Sequence, residues 1–166
     1  MTPLSDPTAS AHPRTHEARR RIFVVLNPIM RFLLRLPWHT PLQDRLLLLT
    51  YAGRRSGRRY TVPISFTEDA DGSLLAPGGG AWKWNLDEGR RVQVRLRGHL
   101  RQAFGEIITD PAEVERLLPA LVASNPRAEA FIGVPIGVDG RPDPASLAEA
   151  LRDGFAVVRL RLVDAV

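Results

Sequence analysis

The chain has 166 residues, 44% of them hydrophobic and 25% charged, which suits one domain with a sizeable core and is too short for two. It contains no cysteine and only four histidines, His12, His16, His39 and His99. That excludes disulfides, thiolate metal sites and a cysteine nucleophile, and it argues against a histidine-based zinc centre, so no metal is expected. The net charge of +5 is carried almost wholly by arginine, Lys83 being the one lysine among 23 basic residues; a GC-rich genome explains such a bias, and only the placement of the cations points to an anionic partner.

Residues 1–20 are rich in Pro, Ser, Thr and Ala without periodicity and read as a flexible tail, followed by a single domain over 21–166. Arg19-Arg20-Arg21 before Ile22–Leu26 imitates the start of a signal peptide. Asn27-Pro28 interrupts the apolar run, and Arg31 and Arg35 place charge on the next segment, so the expectation is a cytoplasmic protein. Asn or Asp directly before Pro marks four helix starts, at Asn27-Pro28, Asp110-Pro111, Asn125-Pro126 and Asp143-Pro144, and Asp110 and Glu113 have capping-box spacing. The first of these predicts a helix from Pro28 to near Pro37, with Ile29, Leu33 and Leu36 on one stripe and Arg31 and Arg35 on another. A helix docked on the core is the plain reading; the alternative is a basic amphipathic helix at 28–36 in peripheral contact with an anionic membrane.

The middle of the chain is strand-like. Leu46–Thr50 is a continuous apolar run of the kind buried on both faces, and Tyr60–Thr67 is rich in β-formers. Val92, Val94 and Leu96 alternate with Arg91, Gln93, Arg95 and Arg97, predicting a strand with a basic outer face. A turn at Gly98-His99 leads into a strand over Arg101–Thr109. Phe155–Val163 repeats the pattern, with Val158, Leu160 and Leu162 inward and Arg159 and Arg161 outward. Five or six strands, late helices and no regular βαβ alternation predict an α+β fold built on a small barrel or curled sheet.

Two segments carry chemistry. Gly53-Arg54-Arg55-Ser56-Gly57-Arg58-Arg59 places four cations on a turn between two strands, where backbone N–H groups, the Ser56 hydroxyl and guanidinium forks could cradle phosphate oxygens. Gly78-Gly79-Gly80-Ala81-Trp82-Lys83-Trp84-Asn85-Leu86 joins a glycine loop to two indoles, a cation and an amide. Glycines let a ligand approach the backbone, an indole stacks on a planar ring, and Asn85 can cap the turn or bind a ligand edge. Trp82 and Trp84, two residues apart on one helical turn, cannot point the same way, so one belongs to the core and the other to the surface or a cleft.

The run Leu47–Pro63, with Gly-Arg-Arg-Ser-Gly at 53–57 and Pro63 ten residues after the first glycine, followed by Trp82-Lys-Trp-Asn-Leu86, resembles the deazaflavin-dependent nitroreductase family over roughly residues 30–110. The resemblance implies a split β-barrel of about six mainly antiparallel strands with flanking helices, related to flavin mononucleotide (FMN)-binding proteins. It implies coenzyme F-420, a deazaflavin with a phosphate and an acidic tail, as the hydride carrier, with FMN as the alternative cofactor. Arg54, Arg55 and Ser56, aided by Gly57 and Arg59, would hold the phosphate. Pro63, Gly79, Gly80, Trp82 and Asn85 complete the implied cofactor-binding set. Two positions depart from the family pattern: Tyr60 stands three residues before Pro63, where an arginine is usual, and the loop before Trp82 lacks the usual lysine.

With no Ser-His-Asp set and no paired carboxylates, the chemistry is expected from a cofactor, reducing a small electron-poor substrate such as a quinone, an enone or a nitro compound. No catalytic residue stands out; Tyr51, Tyr60, Ser65 and Lys83 are candidate proton donors, and His99 reads as an ordinary surface histidine. A non-catalytic carrier of a lipid or tetrapyrrole is the rival within the same barrel. No nucleic acid is expected as a partner, because the aromatics do not interleave with Arg91, Arg95, Arg97, Arg159 and Arg161. The protein is expected to be a monomer or a homodimer.

Overall fold

The structure, a computed structural model, describes residues 44–86, 90–125 and 127–163. The tail at 1–20, the helix at 28–36 and its membrane contact lie outside the described residues. Seven strands run in the order β1 (Leu46–Ala52), β2 (Arg59–Ser65), β3 (Thr67–Glu68), β4 (Leu74–Pro77), β5 (Arg91–Leu96), β6 (His99–Ile108) and β7 (Val157–Val163). A 3-10 helix at Ala81–Asn85 follows β4, and helices α1 (Pro111–Ser124), α2 (Arg127–Ile132) and α3 (Pro144–Arg152) separate β6 from β7. Among the described residues no helix is long and apolar enough to cross a membrane.

All the strand pairs are antiparallel, and the sheet order is β2-β1-β5-β6-β7-β4-β3. The fold is α+β. Over the described residues the sheet curls around an apolar core but does not close, β2 and β3 being its two edges. The seventh strand, β3, is two residues long and too short to leave a pattern of its own in the sequence.

Two cores share the sheet. The inner one takes Leu47, Leu49 and Tyr51 from β1, Leu74 and Ala76 from β4, Val92, Val94 and Leu96 from β5, and Val158 and Leu160 from β7. The outer one packs Leu75, Ile108 and Val157 of the sheet against Val114, Leu117, Leu118 and Leu121 of α1 and Leu147 of α3. Strands β4 and β7 are therefore buried on both faces, and period-two alternation sends neighbouring residues into different cores. The alternation expected for β5 is present, with Val92, Val94 and Leu96 buried.

Two of the helix starts are capped as expected. Asp110 accepts from the Glu113 N–H at 2.9 Å and Asp143 from the Ser146 N–H at 2.8 Å, each with proline in the first turn. At Asn125-Pro126 a helix also starts, α2 from Arg127, while Asn125 itself closes the end of α1.

Arg159 corrects the outward placement expected from β7. It is 7% exposed, lying under α1, and donates to Glu106 at 3.3 Å and Glu113 at 2.8 Å. Helix α1 covers that face of the strand, so an arginine alternating out of the inner core enters a second interior. Glu113 turns toward Arg159 for this contact; only the Asp110 half of the capping box is seen. Arg161 is exposed as expected and pairs with Glu106 at 2.9 Å on the solvent side.

Removing Arg159 leaves Glu106 and Glu113 without their buried partner. Arg159→Ala is expected to lose about 2 kcal/mol in urea denaturation, whereas Arg161→Ala leaves the midpoint nearly unchanged. Equal losses would contradict the buried network.

Candidate functional site

The turn between β1 and β2 is symmetric. Tyr51 pairs with Tyr60 and Ala52 with Arg59, leaving 53–58 to reverse the chain. The Gly53 N–H donates to Arg58 O at 2.8 Å and the Gly57 N–H to Gly53 O at 2.8 Å. Gly53 is required by close approach: a Cβ there would stand 2.8 Å from Ser56 Oγ and 2.9 Å from the Tyr60 ring. The two tyrosine rings stack across the strands with centroids 5.8 Å apart and planes 26° from parallel.

Asn85 joins this turn to the 3-10 helix. Its Oδ1 accepts from the Arg54 N–H at 2.8 Å, and its Nδ2 donates to Trp82 O at 3.0 Å. One side chain thus ties a cation-bearing turn to the indole-bearing segment 31 residues later.

Between them lies an open cleft of about 510 Å³, within the range of small-molecule sites. Tyr51, Tyr60 and the two indoles supply its aromatic surface, and Arg54, Arg55, Ser56 and Asn85 its polar groups. Trp82 is half-buried against the inner core while Trp84 is 47% exposed, so the indoles divide as their spacing required. Arg54, Arg55 and Arg58 are exposed and have no acidic partner among the described residues. Ser56 Oγ accepts from the Arg58 N–H at 3.3 Å, which leaves its own proton available to a ligand.

Of the expected cofactor-binding residues, Arg54, Arg55, Ser56, Trp82 and Asn85 come together along the cleft. The others lie elsewhere. Arg59 reaches across to Gln93 Oε1 at 2.6 Å, and Gly57, though in the turn, is not among the residues that line the cleft. Pro63 pairs with Leu48 farther along the hairpin. Gly79 lies under Phe131 of α2, and Gly80 caps the 3-10 helix beside the Trp82 ring.

Among the candidate proton donors, Tyr51 and Tyr60 line the cleft, whereas Ser65 is at the opposite end of β2, paired with Leu46. Lys83 is buried behind the cleft. Its ammonium donates to Gly78 O at 2.6 Å and to Gly154 O, and desolvation holds its pKa below the ordinary lysine range. His99 is exposed at the first residue of β6. The described residues contain no group of His, Asp and Glu able to hold a metal ion.

Gly53, Ala81 and Trp84 also border the cleft. The Tyr51–Tyr60 stack was readable in principle: centring the turn between Arg55 and Ser56 makes residues 51 and 60 directly opposite.

No family model and no curated protein matches this sequence. Solved structures do resemble it. A protein of unknown function from Agrobacterium tumefaciens is similar over 95% of this chain with a TM-score of 0.52 and 19% identity, and the chain spans 59% of that protein's length. An F-420-H2 dependent reductase is similar over 70% of this chain and 94% of its own, with a TM-score of 0.47 and 17% identity. For a general stress FMN/FAD binding protein from Xanthomonas citri the coverages are 92% and 88%, with a TM-score of 0.44 and 21% identity. The first of these likenesses is one of fold.

Asn85→Ala removes two half-exposed hydrogen bonds and is expected to cost about 1–2 kcal/mol. Amide exchange locates the loss: protection at the Arg54 N–H falls while that of β5 is retained. Unchanged protection at Arg54 would show that Asn85 does not hold the turn.

Proposed function

We propose that the cleft binds a flavin-type cofactor, coenzyme F-420 by preference, and that the protein is an oxidoreductase passing a hydride to a small electron-poor acceptor such as a quinone, an enone or a nitro compound. The observation that carries this reading is the bond from the Arg54 N–H to Asn85 Oδ1, which makes one site of the two segments bearing the family resemblance. The donor set suits such a ligand. Arginines without acidic partners among the described residues and a hydroxyl with a free proton match a phosphate, and an aromatic-walled cleft of about 510 Å³ matches a planar ring.

The reduced deazaflavin, when bound, supplies the hydride. Everything else falls to the chain. Arg54 and Arg55 would hold the phosphate oxygens through their guanidinium forks, with Ser56 able to donate a further hydrogen bond. Asn85 keeps the turn at a constant separation from the 3-10 helix, so the phosphate grip and the ring wall stay in register. Trp82, packed on the inner core, gives the wall a rigid base, and Trp84 and Tyr60 cover its outer side against water. The cleft hydroxyls are those of Tyr51, Ser56 and Tyr60; Tyr60 is 41% exposed and Tyr51 8%, so Tyr60 is the more accessible proton donor to an acceptor at the mouth.

Titration with coenzyme F-420, FMN, haem and a fatty acid, followed by tryptophan fluorescence, tests this. The expected result is quenching by F-420 at micromolar concentration, weakened at least about ten-fold when Arg54→Ala and Arg55→Ala are combined, as loss of two charge-assisted contacts requires. Response to haem or fatty acid alone would favour a carrier, and no response to either F-420 or FMN would refute the proposal.

A further inference from the structure

Lys83 is the chain's one lysine, and it is 3% exposed although both of its neighbours, Trp82 and Trp84, line the cleft. No carboxylate among the described residues pairs with its ammonium. Burying a cation without a counter-ion is costly, so the groups around it must stabilise the charge by other means. Three do so. Gly78 O accepts at 2.6 Å, Gly154 O accepts from the α3–β7 connection, and the Trp84 ring centroid lies 4.9 Å away.

The three groups belong to three segments: the glycine loop, the entry to β7 and the cleft's own wall. The glycine loop is independently seated, because the Gly78 N–H donates to Ala156 O at 2.8 Å. A Cβ at Gly78 would stand 2.8 Å from that oxygen and 3.2 Å from the Lys83 stem. The ammonium therefore rests on a rigid floor. Trp84, by contrast, is nearly half exposed.

We infer that Lys83 is a positioning residue whose ammonium, fixed by Gly78 O and Gly154 O, orients the Trp84 indole that forms the outer wall of the cleft. The inference deepens the proposed function and rests on it only where ligand affinity is concerned. Lys83 acts through Trp84 and has no contact with a bound molecule of its own. Uncharged stems of the same length fill the same space but leave the indole free to turn.

The test uses full-length protein labelled with 5-fluorotryptophan, the Trp84 fluorine resonance being assigned by its loss in Trp84→Phe. Lys83→Met is expected to shift and broaden that resonance while that of Trp82, packed on the inner core, stays nearly in place. Because the chain has no other cysteine, Lys83→Cys can be alkylated in denaturant and refolded. 2-Bromoethylamine restores an ammonium at nearly the original length, and iodoacetamide leaves a neutral group. The first is expected to return the native resonance and the second is not, a comparison that stands even if Lys83→Met does not fold. An unchanged Trp84 resonance in the neutral variants would overturn the inference.

Affinity for F-420, or for FMN if that is the cofactor the native protein takes, is expected to fall about 3- to 30-fold in Lys83→Met. It should fall no further when Lys83→Met is added to Trp84→Ala. Losses that multiply would assign Lys83 a role independent of Trp84. If the native protein binds neither cofactor, the proposed function fails and the fluorine spectra alone decide the inference.

Discussion

A single side-chain amide holds the two halves of the candidate site together. Asn85 accepts from the backbone of the arginine turn and donates to the backbone of the tryptophan helix, using both ends of its amide on groups that belong to separate segments. The turn projects beyond β1 and β2, and the 3-10 helix is five residues long and starts without a side-chain cap. Aspartate in place of Asn85 would set a carboxylate oxygen against the Trp82 carbonyl, and leucine would take the side-chain acceptor from the Arg54 N–H. The amide satisfies both directions at once.

Behind the cleft, the curled sheet supplies the stiffness that this arrangement needs. Tyr51 and Trp82 stand on the inner core, so the floor of the cleft is continuous with the best-packed part of the molecule. The outer core and the Arg159 network fasten β6 and β7 to α1, and Ala156, the residue before β7, accepts from the glycine loop that precedes Trp82. Packing remote from the cleft thus reaches its wall through covalent neighbours and a few short hydrogen bonds.

The parts of the fold legible in the sequence are those that a one-faced pattern describes. β5 alternates because one side is core and the other is not, and the β1–β2 hairpin is announced by its glycine-bracketed turn. β7 misled for the opposite reason: Val157 and Val158 enter different cores, and Arg159 looks like a solvent residue until α1 is laid over it. The spacing of Asp110 and Glu113 predicted reciprocal capping, but Glu113 has a closer charge to meet in Arg159. Lys83 is the clearest case. Chain-neighbour logic puts it with Trp82 and Trp84, and only the tertiary position of Gly154, 71 residues away, shows where its ammonium goes. Local spacing singled out Arg54, Arg55, Ser56, Trp82 and Asn85, which lie on two short segments that line one cleft. Tyr51 and Tyr60 needed the strand register as well.

The arginine turn and the tryptophan helix are proposed to form one binding site. Backbone and side-chain amide and indole resonances, recorded by two-dimensional NMR as coenzyme F-420 is added, address it most directly. The expected shifts are concentrated at residues 51–60 and 81–85, the Asn85 side-chain amide and the Trp84 indole among them, and move together with one dissociation constant. Shifts centred on α1 and residues 140–142, or shifts at the turn and the helix that saturate at different concentrations, would contradict it.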